Sequence, residues 1–284
     1  MGVSDPDALR SEILGRWERA AAGWGKRADR MREFGMPVSA WMLEHAQLHP
    51  GQRVLELAAG PGDTGFLAAE LIRPGGTLIS SDAAENMLEV ARARAAHLGI
   101  ENVEFRRIDL GWIDLDTASV DVVLCKWGYM FTIDPEAALR EARRVLRPGG
   151  RIAVAAWDEA PANPWATIPN RVLVELGHMT PPDPDAPGMF ILSAPGRLQD
   201  LLETAGFVDV LVESVQTSRS FVDIADYVAE FYDTSSMFGE VFDRLSDEQR
   251  EAVASEIAEL SGEYTAADGS ITLPGRSLVA VAEA

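Results

Sequence analysis

One cysteine, Cys125, stands in 284 residues, which excludes a disulfide framework and any site built from several cysteines. Basic side chains are scarce. Lysine and arginine total 25 against 45 aspartates and glutamates, a formal charge of −20. Such a chain is a poor match for nucleic acid, whose affinity comes mainly from neutralising phosphates. No apolar run reaches the roughly 18 residues of a membrane span. The start, MGVSDPDALRSEIL, lacks the basic-then-apolar pattern of a secretory leader. A cytoplasmic protein is therefore expected. The histidines at 45, 49, 97 and 178 show no metal-ligand spacing, so no metal is expected.

The charge is unevenly spread. Residues 1–50 are balanced, 51–199 carry −6, and 200–284 carry −14. A solvated, solubility-promoting face is the ordinary reading of that acidic last third. A field that turns away anionic ligands is the functional alternative. The length suits one large domain, or one domain with an appendage.

Apolar residues at helical spacing, Leu9, Ile13, Leu14, Trp17 and Ala21, then Val38, Trp41, Met42 and His45, predict two N-terminal helices. Gly23 and Gly25, flanking Trp24, are expected to break them. From Arg53 the pattern becomes strand alternating with helix. RVLELA (53–58), TLISSD (77–82), NVEFRRID (102–109), VDVVLC (120–125) and RIAVAAW (151–157) read as strands. Between them lie helices over 64–72 and Glu85–Leu98, the latter closed by Gly99, and one from Asp134-Pro135 to Arg147. This rhythm means an open, doubly wound parallel sheet covered on both faces. Residues 158–192, with seven prolines, read as an inserted lid. A helix from Pro195 to Ala205, a sixth strand at 207–215, two helices around 223–234 and 246–262, and a late strand at 277–284 complete the pattern.

The segment from Val54 to Gly65 is a buried strand, a glycine turn and a helix start. Such a turn lets a ligand approach backbone N–H groups. Glu56, inside the strand, argues against pyrophosphate and for a ligand with a positive amino or sulfonium group. Asp82 ends the second strand, in the crevice where strand C-termini converge, and suits the two hydroxyls of a ribose. Asp109 ends the third strand and suits an adenine amino group.

These pieces resemble the class I S-adenosylmethionine-dependent methyltransferases, of the small-molecule group called type 11 or UbiE-like. The matching stretches are VLELAAGPGDTG (54–65), LISSDAAENML (78–88), VEFRRIDL (103–110), VDVVLCKWGYMF (120–131), DPEAALREARRVLRPGGRIAVAAW (134–157) and LLETAGF (201–207). The resemblance implies a Rossmann-like α/β fold with a mostly parallel seven-stranded sheet. Its parts would be an N-terminal helical cap (1–50), a cofactor-binding core (51–157), the lid insertion (158–192), and completion of the sheet with an acidic helical cap (193–284). It implies S-adenosyl-L-methionine as cofactor, S-adenosyl-L-homocysteine as product, and in-line methyl transfer to a small molecule. Glu56, Ala58, Gly60 and Gly62 would face the methionine part. Asp82 would hold the ribose, with Ala83 and Met87 beside the adenine, which Asp109 and Leu110 would read. Lys126, Trp127 and Gly128 would border the methionine and the sulfonium, and Trp24 would roof that end. The pattern's first glycine is Ala58 here, and the position of Lys126 is often arginine in close relatives.

Simpler roles compete. Glu56 suits a structural ion pair, Asp82 a helix cap, Asp109 a solvated loop and Lys126 a surface salt bridge. Cys125, Trp17, Trp41 and Trp157 read as core. His178, in the insertion, is the candidate general base for an acceptor that arrives protonated, although aligned transfer needs none. Met179, Met189, Phe190, Tyr227, Phe231 and Tyr232 on the acceptor side point to a hydrophobic or aromatic acceptor. The rival functions are an NAD(P)-dependent oxidoreductase on the same sheet and a non-catalytic cofactor-binding module. A monomer or homodimer is expected.

Overall fold

A computed structural model describes residues 5–284. Residues 1–4, where the expected N-terminal cap and the stretch searched for a leader begin, lie outside the described residues. The chain opens with α1 (Pro6–Lys26) and α2 (Ala28–Ala46). The expected break at Gly23 and Gly25 is absent, because α1 runs through both and the chain turns at Arg27. Close packing explains the glycines. A Cβ on Gly23 would sit 1.6 Å from the Asp233 carbonyl oxygen, and one on Gly25 3.2 Å from Val90.

The alternating part contains β1 (Arg53–Glu56), α3 (Asp63–Leu71), β2 (Thr77–Asp82), α4 (Glu85–Leu98), β3 (Val103–Arg107), β4 (Val120–Lys126), α5 (Pro135–Val145) and β5 (Leu146–Trp157). Local chemistry sets several ends. The Asp134 side chain accepts from the Ala137 N–H ahead of Pro135, and Gly99 closes α4 at φ 70°. α5 stops at Val145, two residues before the expected end. There follow α6 (Pro164–Glu175), α7 (Arg197–Thr204), β6 (Val208–Phe221), α8 (Ile224–Thr234), α9 (Ser236–Phe242), α10 (Asp247–Leu260) and β7 (Ile271–Glu283). The short α9, capped by Ser235, is an element the periodicity did not separate from its neighbours.

The seven strands run in the order β3-β2-β1-β4-β5-β7-β6, with β7 antiparallel to both neighbours. The order reverses between β1 and β4, so the chain leaves these strands in opposite directions and a crevice opens at their C-terminal ends. Strand alternation divides the core. Val54, Leu78, Val122 and Leu124 join α2, α3 and α4 on one face. Leu55, Ile79, Val123 and Cys125 meet α5, α6 and α7 on the other. By the same period Glu56, Ser80 and Lys126 fall on the α2–α3 face, at its upper edge.

β6 and β7 are longer than their apolar cores suggested. Beyond the Trp157–Ser277–Val215 register, residues 216–221 and 271–276 continue as a two-stranded ribbon past the sheet's C-terminal edge. Its buried positions Thr217, Arg219 and Phe221 alternate with exposed ones, a polar-rich pattern that hid the strand. The proline-rich stretch contains α6, buried and continuous through Pro169. A proline leaves the carbonyl four residues back without its helical partner. That carbonyl, of Trp165, accepts instead from the Tyr227 hydroxyl at 2.6 Å. No helix among the described residues is long and apolar enough to cross a membrane.

Candidate active site

The glycine turn after β1 holds Ala58, Gly60 and Gly62, all at positive φ (50°, 52° and 88°). A Cβ on Gly60 would meet nothing, so its outer side is open to a ligand. Gly62 caps α3 and sits against the Phe66 ring. Gly128 belongs to the turn after β4, where a Cβ would lie 2.7 Å from both Ala58 Cβ and Cys125 Sγ. The two turns that flank the switch point are thus pressed together.

Asp82 grips this turn. Its carboxylate accepts from the Gly60 N–H at 2.9 Å and from the Ala84 N–H at 2.9 Å. Burial raises its pKa above the ordinary value, although both backbone donors oppose the shift. Each carboxylate oxygen keeps a lone pair for a further donor. Ala83 follows it, and Met87, 2% exposed, lies on the first turn of α4.

Glu56 lies beneath the turn, 3% exposed. The Gly65 N–H donates to it at 2.7 Å and the Ser80 hydroxyl at 3.4 Å. A Cβ on residue 65 would collide with the Glu56 carboxylate, so glycine there is a requirement of the site. Burial raises the Glu56 pKa to about 8, against the pull of the Gly65 N–H and of Lys126. Lys126 carries the opposite charge and the opposite shift, its pKa lowered by burial. Its ammonium donates to the Ser39 hydroxyl at 3.1 Å, which pairs with the Thr64 hydroxyl at 2.9 Å. Glu56 and Lys126 form no direct ion pair; Glu56 is buried and Lys126 half-buried, and holding either in its charged form there costs free energy.

The remaining expected residues are placed as follows. Asp109 accepts from the Gly111 N–H at 2.8 Å and stands half-buried beside Leu110. Trp127 is held at φ 61° with its indole turned from the turn, stacked on Trp157 at 4.2 Å and donating to the Ser277 hydroxyl. Trp24 lies on α1, edge-on to Trp17, and donates to the Thr234 carbonyl at 2.9 Å. His178 follows α6, where its backbone N–H closes onto the Leu173 carbonyl. Among the described residues its ring makes no hydrogen bond to the groups around Glu56 and Asp82. Tyr227 and Phe231 are core residues, and Tyr232 is exposed and bonded to Asp243. Cys125 is fully buried and its thiol is pushed up to about 12 by burial, which leaves it inert.

Several residues at the site escaped the sequence reading. Arg94, on α4, donates to the Pro61 carbonyl and the Asp63 carboxylate, both at 2.7 Å, and so ties the glycine turn down from outside. Glu18, on α1, accepts from the Glu85 and Asn86 N–H groups at the start of α4, both at 2.9 Å. Ser80 alone left a trace, a hydroxyl in a fully buried strand beside a carboxylate. Ser39, Arg94 and Glu18 reach the site from distant segments.

Comparison with known proteins agrees with this geometry. Residues 48–177 match a methyltransferase domain family. Nocamycin O-methyltransferase of Saccharothrix syringae is 33% identical over 187 residues, covering 63% of this chain and 67% of that protein. The ubiquinone/menaquinone biosynthesis C-methyltransferase UbiE of Cellvibrio japonicus is 28% identical, covering 59% and 71%. Against uncharacterised mycobacterial relatives at 33% identity, the chain spans 54% of their length. Among solved structures, the YcgJ protein of Bacillus subtilis superposes with a TM-score of 0.56 at 19% identity, covering 86% of this chain and 97% of that one. A Haemonchus contortus phosphoethanolamine N-methyltransferase, solved with S-adenosylhomocysteine, gives 0.54 at 18%, covering 88% and 53%. At such identities the structural likeness concerns the fold alone. With the strand order, the glycine turn and these relatives in agreement, the chain belongs to the S-adenosylmethionine-dependent methyltransferases.

Proposed function

We propose that the chain transfers a methyl group from S-adenosylmethionine to a small hydrophobic or aromatic acceptor by in-line displacement. The observation that carries this reading is Asp82, a carboxylate clasped by the glycine turn and the start of α4 at the switch point, with buried Glu56 beneath. The residues fit the cofactor. Gly60 leaves open space where a Cβ would stand, and Asp82 has acceptor capacity for both ribose hydroxyls. Charge-assisted hydrogen bonds of this kind contribute about 1.5–3 kcal/mol each.

In this reading Ala83, Met87, Asp109 and Leu110 border the adenine. Ala58, Gly60 and Gly62 border the methionine part, with Gly128 and the Trp127 backbone opposite. Glu56 and Lys126 are separate groups whose ionised forms have opposite sign, which suits the ammonium and carboxylate of an amino acid; a ligand ammonium would draw Glu56 into its ionised form. Trp24, packed on Ala84 and Met87, belongs in this reading to the adenine side and not to the methionine end. The bound cofactor supplies a methyl group activated by its sulfonium charge. The chain's own task is alignment: fixing both reactants in line can contribute roughly 7–11 kcal/mol. The glycine turn, Glu56, Asp82 and Lys126 would hold the cofactor with its methyl group presented to the acceptor, and a hydroxyl acceptor would pass its proton to water. His178 has no contact that supports a base role, and none is assigned to it.

Support for the acceptor class comes from the relatives, since the aromatic run of Phe34, Trp127, Trp157 and Trp165 is packed core with the Arg219 guanidinium against it. Phe34 lies 5.9 Å from Trp127, 5.7 Å from Trp157 and 5.4 Å from Trp165. The relatives above are named for nocamycin and for ubiquinone and menaquinone, which is in keeping with apolar or conjugated acceptors. A thermal-shift panel with S-adenosylmethionine, S-adenosylhomocysteine and NAD(P) tests the cofactor. Ligand at about 100 times its Kd stabilises the fold by about 2.7 kcal/mol. A shift with both sulfur ligands is expected; a shift with NAD(P) alone overturns the reading. A methyl-transfer screen of phenols and quinols against anionic acceptors then tests the acceptor class, and turnover confined to anionic acceptors refutes it.

A further inference from the structure

Resting on the cofactor reading above, we propose that Arg94 is a positioning residue for the cofactor: its guanidinium fixes the outer side of the glycine turn and neutralises Asp63, whose charge would otherwise stand unpaired at the base of the turn with Glu56 and Lys126. Met87, Ala91 and Arg94 recur at helical spacing, which puts the arginine on the same face of α4 as two buried side chains. An arginine on such a face needs an internal partner. It finds two. One guanidinium nitrogen donates to the Pro61 carbonyl and to the Asp63 carboxylate, both at 2.7 Å. The Arg94 side chain is 16% exposed and that of Asp63 8%.

The bond to Pro61 meets a local demand. The first helical bond of α3 runs from the Phe66 N–H to the Gly62 carbonyl. The Pro61 carbonyl lies one residue outside that ladder, and the nearby Gly65 N–H is already given to Glu56. Pro61 is buried, so its carbonyl needs a donor from elsewhere, and Arg94 supplies it. The β2–α4 unit thus holds the turn twice. Asp82, ahead of α4, takes the Gly60 N–H, and Arg94, on the third turn of α4, gives to Pro61. The left-handed Gly60 and Gly62 flank this second anchor.

The bond to Asp63 acts through charge. Asp63 opens α3 two residues before Gly65, whose N–H meets Glu56. Burial raises the Glu56 pKa and the Asp63 charge adds to the rise, against the Gly65 N–H and Lys126. Burial lowers that of Lys126; Asp63 and Glu56 oppose the fall and Arg94 adds to it. Among the described residues, the groups facing Glu56 come from every neighbouring element. They are Asp63 and the Gly65 N–H from α3, Ser80 from β2, and Lys126 from β4, with Ser39 of α2 behind it. The Cys125 thiol, also on β4, is neutral. Arg94 itself has the exposed Asp29 of α2 at 3.7 Å. An Asp63 left without Arg94 would press harder on Glu56 and hold it protonated, the form that cannot pair with a ligand ammonium.

The full chain is tested by carboxyl-carbon NMR titration of Glu56, its signal assigned with Glu56→Gln, and by calorimetry with S-adenosylhomocysteine as probe. Arg94→Met is expected to raise the Glu56 midpoint by about 0.5 pH unit and to weaken the probe about tenfold. Asp63→Asn should lower the midpoint by about 0.5 pH unit. Arg94→Lys keeps the charge and loses the fork, so the midpoint should stay in place while affinity falls about threefold. The sign separates two roles. A turn that merely loosens would admit water to Glu56 and lower the midpoint in Arg94→Met. A midpoint that falls or stays in Arg94→Met, or probe affinity equal to wild type, overturns the proposal and leaves the cofactor reading standing. If Arg94→Met fails to fold, the other two variants decide: a midpoint that shifts in Arg94→Lys, or stays in Asp63→Asn, overturns it. Probe that fails to bind wild type overturns the cofactor reading and the positioning role with it.

Discussion

The cofactor half and the cap half use the same residue types in opposite ways. Around the glycine turn, Glu56, Asp82 and Lys126 are charges with few ionic partners, and burial moves each pKa toward the neutral form. In the cap, Asp226 and Asp233 are held below the usual carboxylate range. Burial pushes both up, and their arginine and lysine partners outweigh it. Arg219 and Glu230, 5% and 1% exposed, form a fully buried pair there, with the guanidinium 4.5 Å from the Trp165 ring. Ionisable groups that lack an ionic partner are free to meet a ligand, whereas ion-paired ones hold elements together.

Substitution should separate the halves. The largest effect expected is from Arg219→Met, which leaves Glu230 short of a partner. Stability should fall by about 3 kcal/mol, read from chemical denaturation, with S-adenosylhomocysteine affinity nearly unchanged. A large loss of affinity at unchanged stability would erase the distinction. Asp82→Ala should do the reverse. Affinity by calorimetry should drop about 100-fold, the worth of two charge-assisted hydrogen bonds, with a much smaller change in Tm.

Next comes Glu56. Its folded pKa, about 8, lies above the unfolded one, so its contribution to the ligand-free fold is present below the unfolded pKa and fades as pH rises through about 8. A ligand ammonium favours the ionised form, so cofactor affinity should rise with pH up to about 8. Glu56→Gln should flatten that rise and weaken binding about tenfold; a pH profile unchanged by the substitution would count against the contact. The smallest effect is Trp24→Phe, which removes the hydrogen bond from the indole to the Thr234 carbonyl. A loss of about 1 kcal/mol or less is expected, visible as faster exchange of α1 amides alone.

The alternating strands, the Asp134-Pro135 and Gly99 helix ends, and the motif from Val54 to Gly65 were legible because each depends on neighbours in sequence. The same is true of Asp82, which ends a strand whose apolar run is plain. The continuity of α1 through Gly23 was not legible. Those glycines answer to Asp233 and Val90, far along the chain. The ribbon of β6 was hidden because its buried Thr217 and Arg219 are polar, and α6 because Pro169 finds its compensation in Tyr227.

The acidic last third shows where the division falls. Composition determined that the charge exists and that nucleic acid is a poor partner. Only the tertiary structure decided its use. Asp226, Glu230, Asp233 and Glu240 are turned to Arg19, Lys26, Arg27 and Arg30 of the N-terminal helices, while residues such as Asp247 and Glu248 face solvent. A turn, a cap or a strand is set by bonds a few residues long. An ion pair across some 200 residues forms only after the sheet has brought the two ends of the chain together, so no local pattern records it.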